Sequence, residues 1–261
     1  MEVIIKKDRS QASLLGAKII ADVIKKKPAA VIGLATGSTP LGLYDELVKM
    51  HKAGELSFSR VTSFNLDEYV GLGPDHKCSF YSEMHQNLFS RVDISPDAVN
   101  IPDGMARNIP AMCAAYEDKI KNEGGIDIQL LGIGNDGHLA FNEPGSSLSS
   151  RTRLKTLSHE TIEANARFFG SKDAVPRHVV TMGLGTIMEA RVCLLLAFGA
   201  DKAEAVYQMV EGPVSATWPG TVLQHHPRTI VILDEASAGR LKRRDYYIEV
   251  YAGKPDWQCW E

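Results

Sequence analysis

The chain has 261 residues, of which 44% are apolar and 23% charged, and its formal net charge is −3. This composition is typical of a soluble globular protein and gives no global field that would favour nucleic acid. The charged residues at its start do not predict a signal peptide. The longest apolar run, Val192 to Phe198, is too short to predict a membrane span. The four cysteines form no C-x-x-C pair, which favours free thiols and a cytoplasmic protein.

Helical and strand patterns alternate from the start of the chain. Residues 10–27 predict a helix with Ser10 as its N-cap, and the apolar run from Ala29 to Ala35 predicts a strand buried on both faces. A second helix is predicted to follow, with Ser38 or Thr39 as its N-cap.

The turn between that strand and that helix is a candidate anion site. Gly37, Ser38 and Thr39 would present free backbone N–H groups at a helix start, which is where phosphate groups bind. An ordinary strand-to-helix turn is the alternative, because the full P-loop lysine pattern is absent.

A carboxylate pair follows the next predicted strand. The strand covers Val61 to Leu66, and Asp67 and Glu68 come directly after it. On their own they indicate either turn chemistry or a general base. Helices are then predicted near residues 79–90 and 113–122, with a turn-rich connection between them.

The stretch from Leu130 to Gly145 holds the densest set of ionisable side chains. An apolar run, Ile126 to Ile133, leads into a glycine-rich loop that carries Asp136, His138 and Glu143. Two carboxylates beside one imidazole can fix its tautomer, raise its pKa and direct it at a proton. The loop is therefore the main candidate for acid–base chemistry.

Two rival uses of this loop are weaker. Residues 132–137 match the dinucleotide pattern G-x-G-x-x-G, but Pro144 and Gly145 leave no room for the helix that the pattern requires. A metal could use the same side chains together with His225 and His226, but the spacing fits no familiar zinc pattern. We expect neither a cofactor nor a metal.

The rest of the chain continues the alternation. The predicted elements are a solvated basic segment at 146–155, helices at 161–169 and after Asp201, and strands at 179–182, 192–198, 229–233 and 246–250. Asp201 is a plausible N-cap, which places Lys202 at the unfavourable end of the helix dipole and indicates an anion arriving there. Arg167, in the last turn of its helix, suits the dipole and needs no function on this ground.

Strands that alternate with helices predict an α/β fold, a doubly wound and mostly parallel sheet with helices on both faces, Rossmann-like but without a dinucleotide. No linker or repeat divides the chain, so we expect residues 1–261 to form one domain, with 143–175 as a mobile flap. The strand ends would bring the anion turn, Asp67, the His138 loop and Lys202 to one edge. A small phosphorylated substrate and acid–base chemistry are the simplest interpretation.

Three long motifs resemble those of the glucosamine-6-phosphate deaminase family. They are Gly33-Leu-Ala-Thr-Gly-Ser-Thr-Pro40, Ser63-Phe-Asn-Leu-Asp-Glu-Tyr-Val-Gly-Leu72 and Leu131-Gly-Ile-Gly-Asn-Asp-Gly-His-Leu-Ala-Phe-Asn-Glu-Pro144, and residues 150–157 and 164–169 also match. One departure is Ser38, where many members have a second glycine. A serine keeps the backbone donor, so phosphate binding is still expected.

The resemblance implies an enzyme that isomerises and deaminates glucosamine 6-phosphate to fructose 6-phosphate and ammonia, without a metal or redox cofactor. It implies that His138, helped by Asp136 and Glu143, opens the sugar ring, and that Asp67 moves a proton from C2 to C1. The substrate phosphate would then bind at Gly37, Ser38, Thr39, Arg167 and Lys202.

Some members of this family are hexamers that N-acetylglucosamine 6-phosphate activates at a subunit interface. Ser146, Arg153 and Lys155 match residues of that allosteric site. The tail from Tyr246 to Glu261 departs from the activated members, so activation and a hexameric or monomeric state both stay open.

Three other functions are compatible with the sequence: a galactosamine-6-phosphate deaminase, a 6-phosphogluconolactonase-like hydrolase, and a non-catalytic sugar-phosphate sensor. The set of acids and bases favours ring opening and proton transfer over lactone hydrolysis, and its completeness counts against a silent sensor. The expected partner is a small sugar phosphate, with no nucleic acid and no membrane.

Overall fold

The computed structural model describes residues 1–258, which form two β-sheets surrounded by helices. The strands are β1 (Glu2–Lys6), β2 (Val31–Leu34), β3 (Thr62–Asn65), β4 (Asp67–Tyr69), β5 (Val99–Asn100), β6 (Ile128–Leu131), β7 (Arg153–Thr156), β8 (His178–Thr181), β9 (Cys193–Ala197) and β10 (Thr229–Asp234). The helices are α1 (Arg9–Lys26), α2 (Leu41–Lys52), α3 (Phe80–Asn87), α4 (Ile109–Asn122), α5 (His159–Phe169), α6 (Leu184–Met188), α7 (Ala203–Glu211) and α8 (Arg244–Ala252). Short 3₁₀ turns cover Phe89–Arg91, Pro96–Ala98, Ala200–Lys202, Pro219–His225 and Asp256–Gln258.

The main sheet has seven parallel strands in the order β1-β10-β9-β6-β2-β3-β5. This confirms the predicted parallel α/β fold. From β2 the chain moves outward through β3 to β5, then returns to β6 and moves the other way through β9 to β10. The strand order therefore reverses between β2 and β6, and ligands of open α/β sheets bind in the crevice beyond such a reversal.

Helices cover both faces of the main sheet, as its continuous apolar strands require. One buried cluster joins the sheet to α1, α2 and α3, and a second joins it to α4, α6 and α7. Both faces are apolar, so the functional polar side chains gather where the strands end.

A second, antiparallel sheet in the order β4-β8-β7 lies beyond the main one. The sequence patterns predict neither β4 nor β7. The three residues of β4 read locally as a loop, and the alternating half-buried and exposed residues of β7 read as a solvated segment. Both strands are stabilised by pairing with β8, which no local pattern indicates.

Three predicted helix caps are wrong. Asp8, not Ser10, caps α1 by accepting a hydrogen bond from the Gln11 amide at 2.9 Å. Pro40 occupies the N-cap of α2 with no side-chain cap, because residues 37–39 form a bend of their own.

At α7, Asp201 is not the N-cap. It lies in the 3₁₀ turn Ala200–Lys202, and Lys202 itself holds the N-cap position. The predicted strand at 246–250 is also wrong, because these residues lie in α8. The start of α8 is held by Glu211, which accepts the amides of Lys242 and Arg243 at 2.9 Å each. None of the helices within residues 1–258 is long and apolar enough to cross a membrane.

Candidate active site

His138 and Asp136 form a close pair in the loop after β6. His138 Nδ1 lies 2.6 Å from Asp136 Oδ1, and the same oxygen accepts the His138 amide at 3.2 Å. The imidazole lies against the bare backbone of Gly134, where an added Cβ would come within 2.2 to 2.6 Å of three ring atoms. A side chain at Gly134 is therefore incompatible with this ring position.

The electrostatics of the pair favour an oriented imidazole. Burial would raise the pKa of Asp136, but the close His138 ring, its charge and the hydrogen bond from the His138 amide together outweigh this and hold that pKa below its usual value. A carboxylate that stays ionised beside Nδ1 keeps the proton on that nitrogen. Nε2 is then left to take or give a proton.

Glu143 connects the same loop to α5. Its Oε1 accepts hydrogen bonds from the Ser158 hydroxyl at 2.9 Å and the Ser158 amide at 3.2 Å, and from the hydroxyl of Thr161. Within residues 1–258 none of its hydrogen bonds goes to His138, so a part in orienting that ring stays a prediction. Between His138 and Glu143, Ala140 has φ +52°, the one positive φ of a non-glycine residue in the described chain. Such conformations store strain and concentrate at functional sites.

Asp67 begins β4, directly beyond the end of β3. It is only 5% exposed, and no donor within residues 1–258 hydrogen-bonds to its carboxylate. Burial, and then the negative charges of Glu68 and Glu83, raise the pKa of Asp67 well above its usual value. A carboxylate of raised pKa is a stronger base when ionised, which suits proton abstraction near neutral pH.

The predicted anion turn follows β2. Gly37 has φ +89°, and an added Cβ at Gly132 would lie 3.9 Å from the Thr39 side chain, which brings the turn against the start of the His138 loop. Arg9 of α1 donates to the carbonyl of Ser38 and, at 3.5 Å, to that of Thr39. The Ser38 and Thr39 hydroxyls make no hydrogen bond within the described residues.

Lys202 and Arg167 are the two cations predicted to bind the phosphate. Lys202 Nζ lies 2.5 Å from Asn135 Oδ1, beside the His138 loop. Burial lowers the pKa of Lys202. The negative charges of Asp201 and Asp136 oppose this, and the positive charge of Arg167 lowers that pKa further. Arg167 therefore lies near Lys202, and two cations held together are stabilised by an arriving anion.

The three candidate allosteric residues have different surroundings. Ser146 has a buried hydroxyl without a hydrogen-bond partner among residues 1–258, and its amide donates to the Glu143 carbonyl at 3.0 Å. Arg153 donates to the Arg151 carbonyl at 3.2 Å and lines a cavity of about 440 Å³ against the start of α4. Lys155 lies two residues further along β7. Their assignment to a regulatory site stays a prediction.

The alternative metal ligands do not come together within the described residues. His226 has a structural role: it is buried, with Nε2 2.7 Å from the Ala190 carbonyl and Nδ1 accepting the Arg228 amide at 3.1 Å. Among residues 1–258, no three His, Cys, Asp or Glu side chains gather as they would around a metal ion. As predicted, no helix follows the G-x-G-x-x-G match: the chain from β6 to β7 consists of turns and bends, with one isolated bridge between Leu139 and Asn142.

Two further charged residues at the site belong to no motif. Glu83 Oε1 accepts the Gly37 amide at 2.7 Å, and Arg9 holds the two following carbonyls. Sequence reasoning misses both, because each comes from a helix whose sequence signals only its own amphipathicity. Since Glu83 takes the Gly37 amide, a direct contact between that amide and phosphate stays a prediction.

Comparison with known proteins gives consistent results. A family model described as glucosamine-6-phosphate isomerases/6-phosphogluconolactonase matches residues 9–232. The chain is 56% identical over 259 residues, 99% of each sequence, to a glucosamine-6-phosphate deaminase of Mycolicibacterium smegmatis. It is 53% identical, again over 99% of each sequence, to one of Beutenbergia cavernae.

Solved structures give the same fold. A monomeric glucosamine-6-phosphate deaminase is 43% identical with a TM-score of 0.90, covering 92% of this chain and all of that one. A 6-phosphogluconolactonase of Trypanosoma cruzi, 24% identical, has a TM-score of 0.73 over 92% of this chain and 97% of that one. The second likeness is one of fold alone.

Proposed function

The chain belongs to the glucosamine-6-phosphate isomerase and 6-phosphogluconolactonase family, and we propose that it is an enzyme that converts glucosamine 6-phosphate and water to fructose 6-phosphate and ammonia. One observation carries the proposal: three groups come from segments that meet at the same edge of the main sheet. They are an oriented histidine, a buried carboxylate proposed as the base, and a pair of cations that could bind an anion. These are the Asp136–His138 pair, Asp67, and Lys202 with Arg167.

The first step assigned to this site is ring opening. The pyranose must lose the proton of its C1 hydroxyl and gain one on its ring oxygen. His138 Nε2 is the group suited to move that proton, because Asp136 fixes Nδ1 at 2.6 Å and stabilises the imidazolium when it forms.

The second step is proton transfer along the open chain. Asp67 takes the proton from C2 of the amino aldehyde and returns it to C1, which converts the amino aldehyde to a C2 imine through an enolamine. The resulting imine at C2 adds water and releases ammonia, so the products balance the substrate plus one water. A base with a raised pKa is required for the first transfer and, once protonated, is the acid for the second.

Phosphate binding anchors the substrate for both steps. The hydroxyls of Ser38 and Thr39, with Lys202 and Arg167, form the anion site in this proposal. Charge-assisted hydrogen bonds to phosphate are roughly twice as strong as neutral ones, so they can hold a flexible open chain in place.

Lactone hydrolysis is the competing reaction within the family. It needs an activated water at a carbonyl, but no base that serves two neighbouring carbons. The buried carboxylate of Asp67, which has no hydrogen-bond partner among residues 1–258, therefore favours the isomerising reaction. The matches to lactonases at 24% identity or less add nothing beyond the fold.

A partner and a cellular location follow from this function. A small sugar phosphate is the substrate, and a cytoplasmic protein fits such metabolism. One similar protein is described as monomeric, so we retain both a monomer and a hexamer as proposals for the oligomeric state of this chain. Residues 143–175 would be the flap that closes over the substrate, since α5 within them buries none of its residues.

The test is to treat purified protein with EDTA, add glucosamine 6-phosphate, and measure fructose 6-phosphate and ammonia together. Equal amounts of both products support the proposal. The proposal would be replaced by one of the alternatives if this substrate gave no product, and the protein instead released acid from 6-phosphogluconolactone or ammonia from galactosamine 6-phosphate.

A further inference from the structure

Glu83 is a half-buried carboxylate at the site that the proposed reaction leaves without a task. It lies in the first turn of α3, and its carboxylate accepts one hydrogen bond within the described chain, from the Gly37 amide at 2.7 Å. No cation pairs with it within residues 1–258. Burial of this unpaired carboxylate is costly and raises the pKa of Glu83, and the hydrogen bond from the Gly37 amide opposes that rise.

The register of the main sheet brings Glu83 close to the proposed base. β2 and β3 are parallel, with Leu34 opposite Asn65. Gly37 is three residues beyond Leu34, and Asp67 is two residues beyond Asn65, so both lie just past the same sheet edge. A side chain bound to the Gly37 amide is therefore near Asp67, and the charge of Glu83 is one of those that raise the pKa of Asp67.

We propose that Glu83 is a positioning residue of the reaction: it holds the Gly37 peptide of the anion turn and places a negative charge beside Asp67. This inference rests on the proposed function. The hydrogen bond turns the Gly37 amide toward α3 and leaves the Ser38 and Thr39 groups for phosphate. The charge disfavours ionisation of Asp67 and so makes its carboxylate a stronger base.

Burial and the charge of Glu68 raise the pKa of Asp67 more than the charge of Glu83 does, and other ionisable groups surround the two carboxylates. Tyr44 on α2, Tyr69 on β4 and Tyr116 on α4 face them, and burial raises the pKa of each phenol, so all three stay neutral in the working range. Glu68 is the remaining acid. Its carboxylate accepts the amides of Tyr69, Phe80 and Tyr81 at 2.8 to 3.0 Å, which ties it to the start of α3. Glu83 is thus the carboxylate that links the base to the anion turn.

The experiment compares three variants of the full chain. Glu83→Gln keeps an oxygen that can accept the Gly37 amide but removes the charge. Glu83→Leu removes both, and Glu46→Gln on α2 is a matched control whose carboxylate pairs with Lys49 at the surface. The measurements are kcat and KM against pH, and a substrate-free carbon NMR titration of the Asp67 carboxyl, assigned by its loss in Asp67→Asn.

With Glu83→Gln we expect the acid limb of kcat/KM and the NMR titration of Asp67 both to move to lower pH, by roughly half a unit or more, with KM changed less than about twofold. With Glu83→Leu we expect the same pH shift and a KM raised several-fold, since a held amide contributes about as much as one hydrogen bond. Glu46→Gln should match the wild type.

An Asp67 titration that is the same in wild type and Glu83→Gln would overturn the inference, even if both are active deaminases. A wild type without deaminase activity would overturn the proposed function, while the NMR titration would still decide whether Glu83 acts on Asp67. If Glu83→Leu leaves KM unchanged, the anchoring of the anion turn is wrong.

Discussion

Substitution of Gly134 by alanine should disable the proposed acid–base pair without replacing a catalytic side chain. The added Cβ would lie 2.2 Å from Cε1, 2.3 Å from Nδ1 and 2.6 Å from Nε2 of His138. Nonbonded carbon atoms pack at about 3.5 Å or more, so the ring has to move by roughly 1.3 Å. That movement would break the 2.6 Å contact with Asp136.

A displacement of about 1 Å at a reacting group can lower a rate by about 10²-fold. We therefore expect kcat/KM for glucosamine 6-phosphate to fall by about 10²-fold, which corresponds to ~2.7 kcal/mol of transition-state stabilisation. The assay is steady-state release of ammonia and fructose 6-phosphate, with thermal unfolding measured on the same samples.

Gly73→Ala is the matched control, since an added Cβ there meets nothing within 4 Å and the backbone is not left-handed. It should keep wild-type kinetics. Full activity in Gly134→Ala, with an intact fold, would refute the reasoning, because the position of the His138 ring would then not matter to the reaction.

Three further predictions follow from the same site. Asp67→Asn should lower kcat by about 10³-fold and raise the melting temperature at pH 8. Folding raises the pKa of this carboxyl, so the stability it contributes is present at acid pH and is lost as pH rises through the folded pKa. An unchanged rate, or a lower melting temperature, would contradict this. Lys202→Met should raise KM by roughly tenfold or more with little change in kcat, and weaken inhibition by inorganic phosphate; an unchanged KM would place the phosphate elsewhere. Ser158→Ala should raise KM several-fold, since it removes both the N-cap of α5 and a hydrogen bond to Glu143; wild-type KM would argue against a flap anchored there.

The parallel fold is predictable from sequence because buried strands carry their own signal. Runs such as Val192 to Phe198 are apolar on both faces, and only a sheet covered by helices on both sides buries them. The sheet then determines where its carboxyl ends lie. The strand pattern alone therefore suffices to assign Asp67, the His138 loop and Lys202 to one edge.

The elements that sequence patterns miss depend on contacts between distant segments. β4 has three residues and exists because β8, more than 100 residues later, pairs with it. The segment 246–250, Tyr-Tyr-Ile-Glu-Val, is rich in aromatic and β-branched residues, as a strand would be, but it is helical in a segment whose start is held by Glu211 of α7 through two amides. Local propensity is a weak guide when one side-chain contact decides the outcome.

The site shows the same division between local motif and distant contact. Motifs identify the groups proposed to act on the substrate, but not the residues that hold them. Arg9 is 29 residues from Ser38, and Glu83 is 46 residues from Gly37. A charge that binds a backbone amide or carbonyl leaves no spacing pattern, so only the folded chain reveals it.

The electrostatics of this edge explain why no donor within residues 1–258 hydrogen-bonds to the Asp67 carboxylate. A salt bridge to Asp67 would stabilise the fold and lower the pKa of the carboxyl, and so weaken it as a base. A carboxylate bound to Lys202 and Arg167 would similarly compete with the substrate phosphate. The site instead leaves the acids to repel one another at the end of β3. It also leaves Lys202 near Arg167 at the start of α7, where an anionic phosphate would relieve their repulsion on binding. Part of the binding energy for the phosphate would therefore come from relieving the repulsion between Lys202 and Arg167.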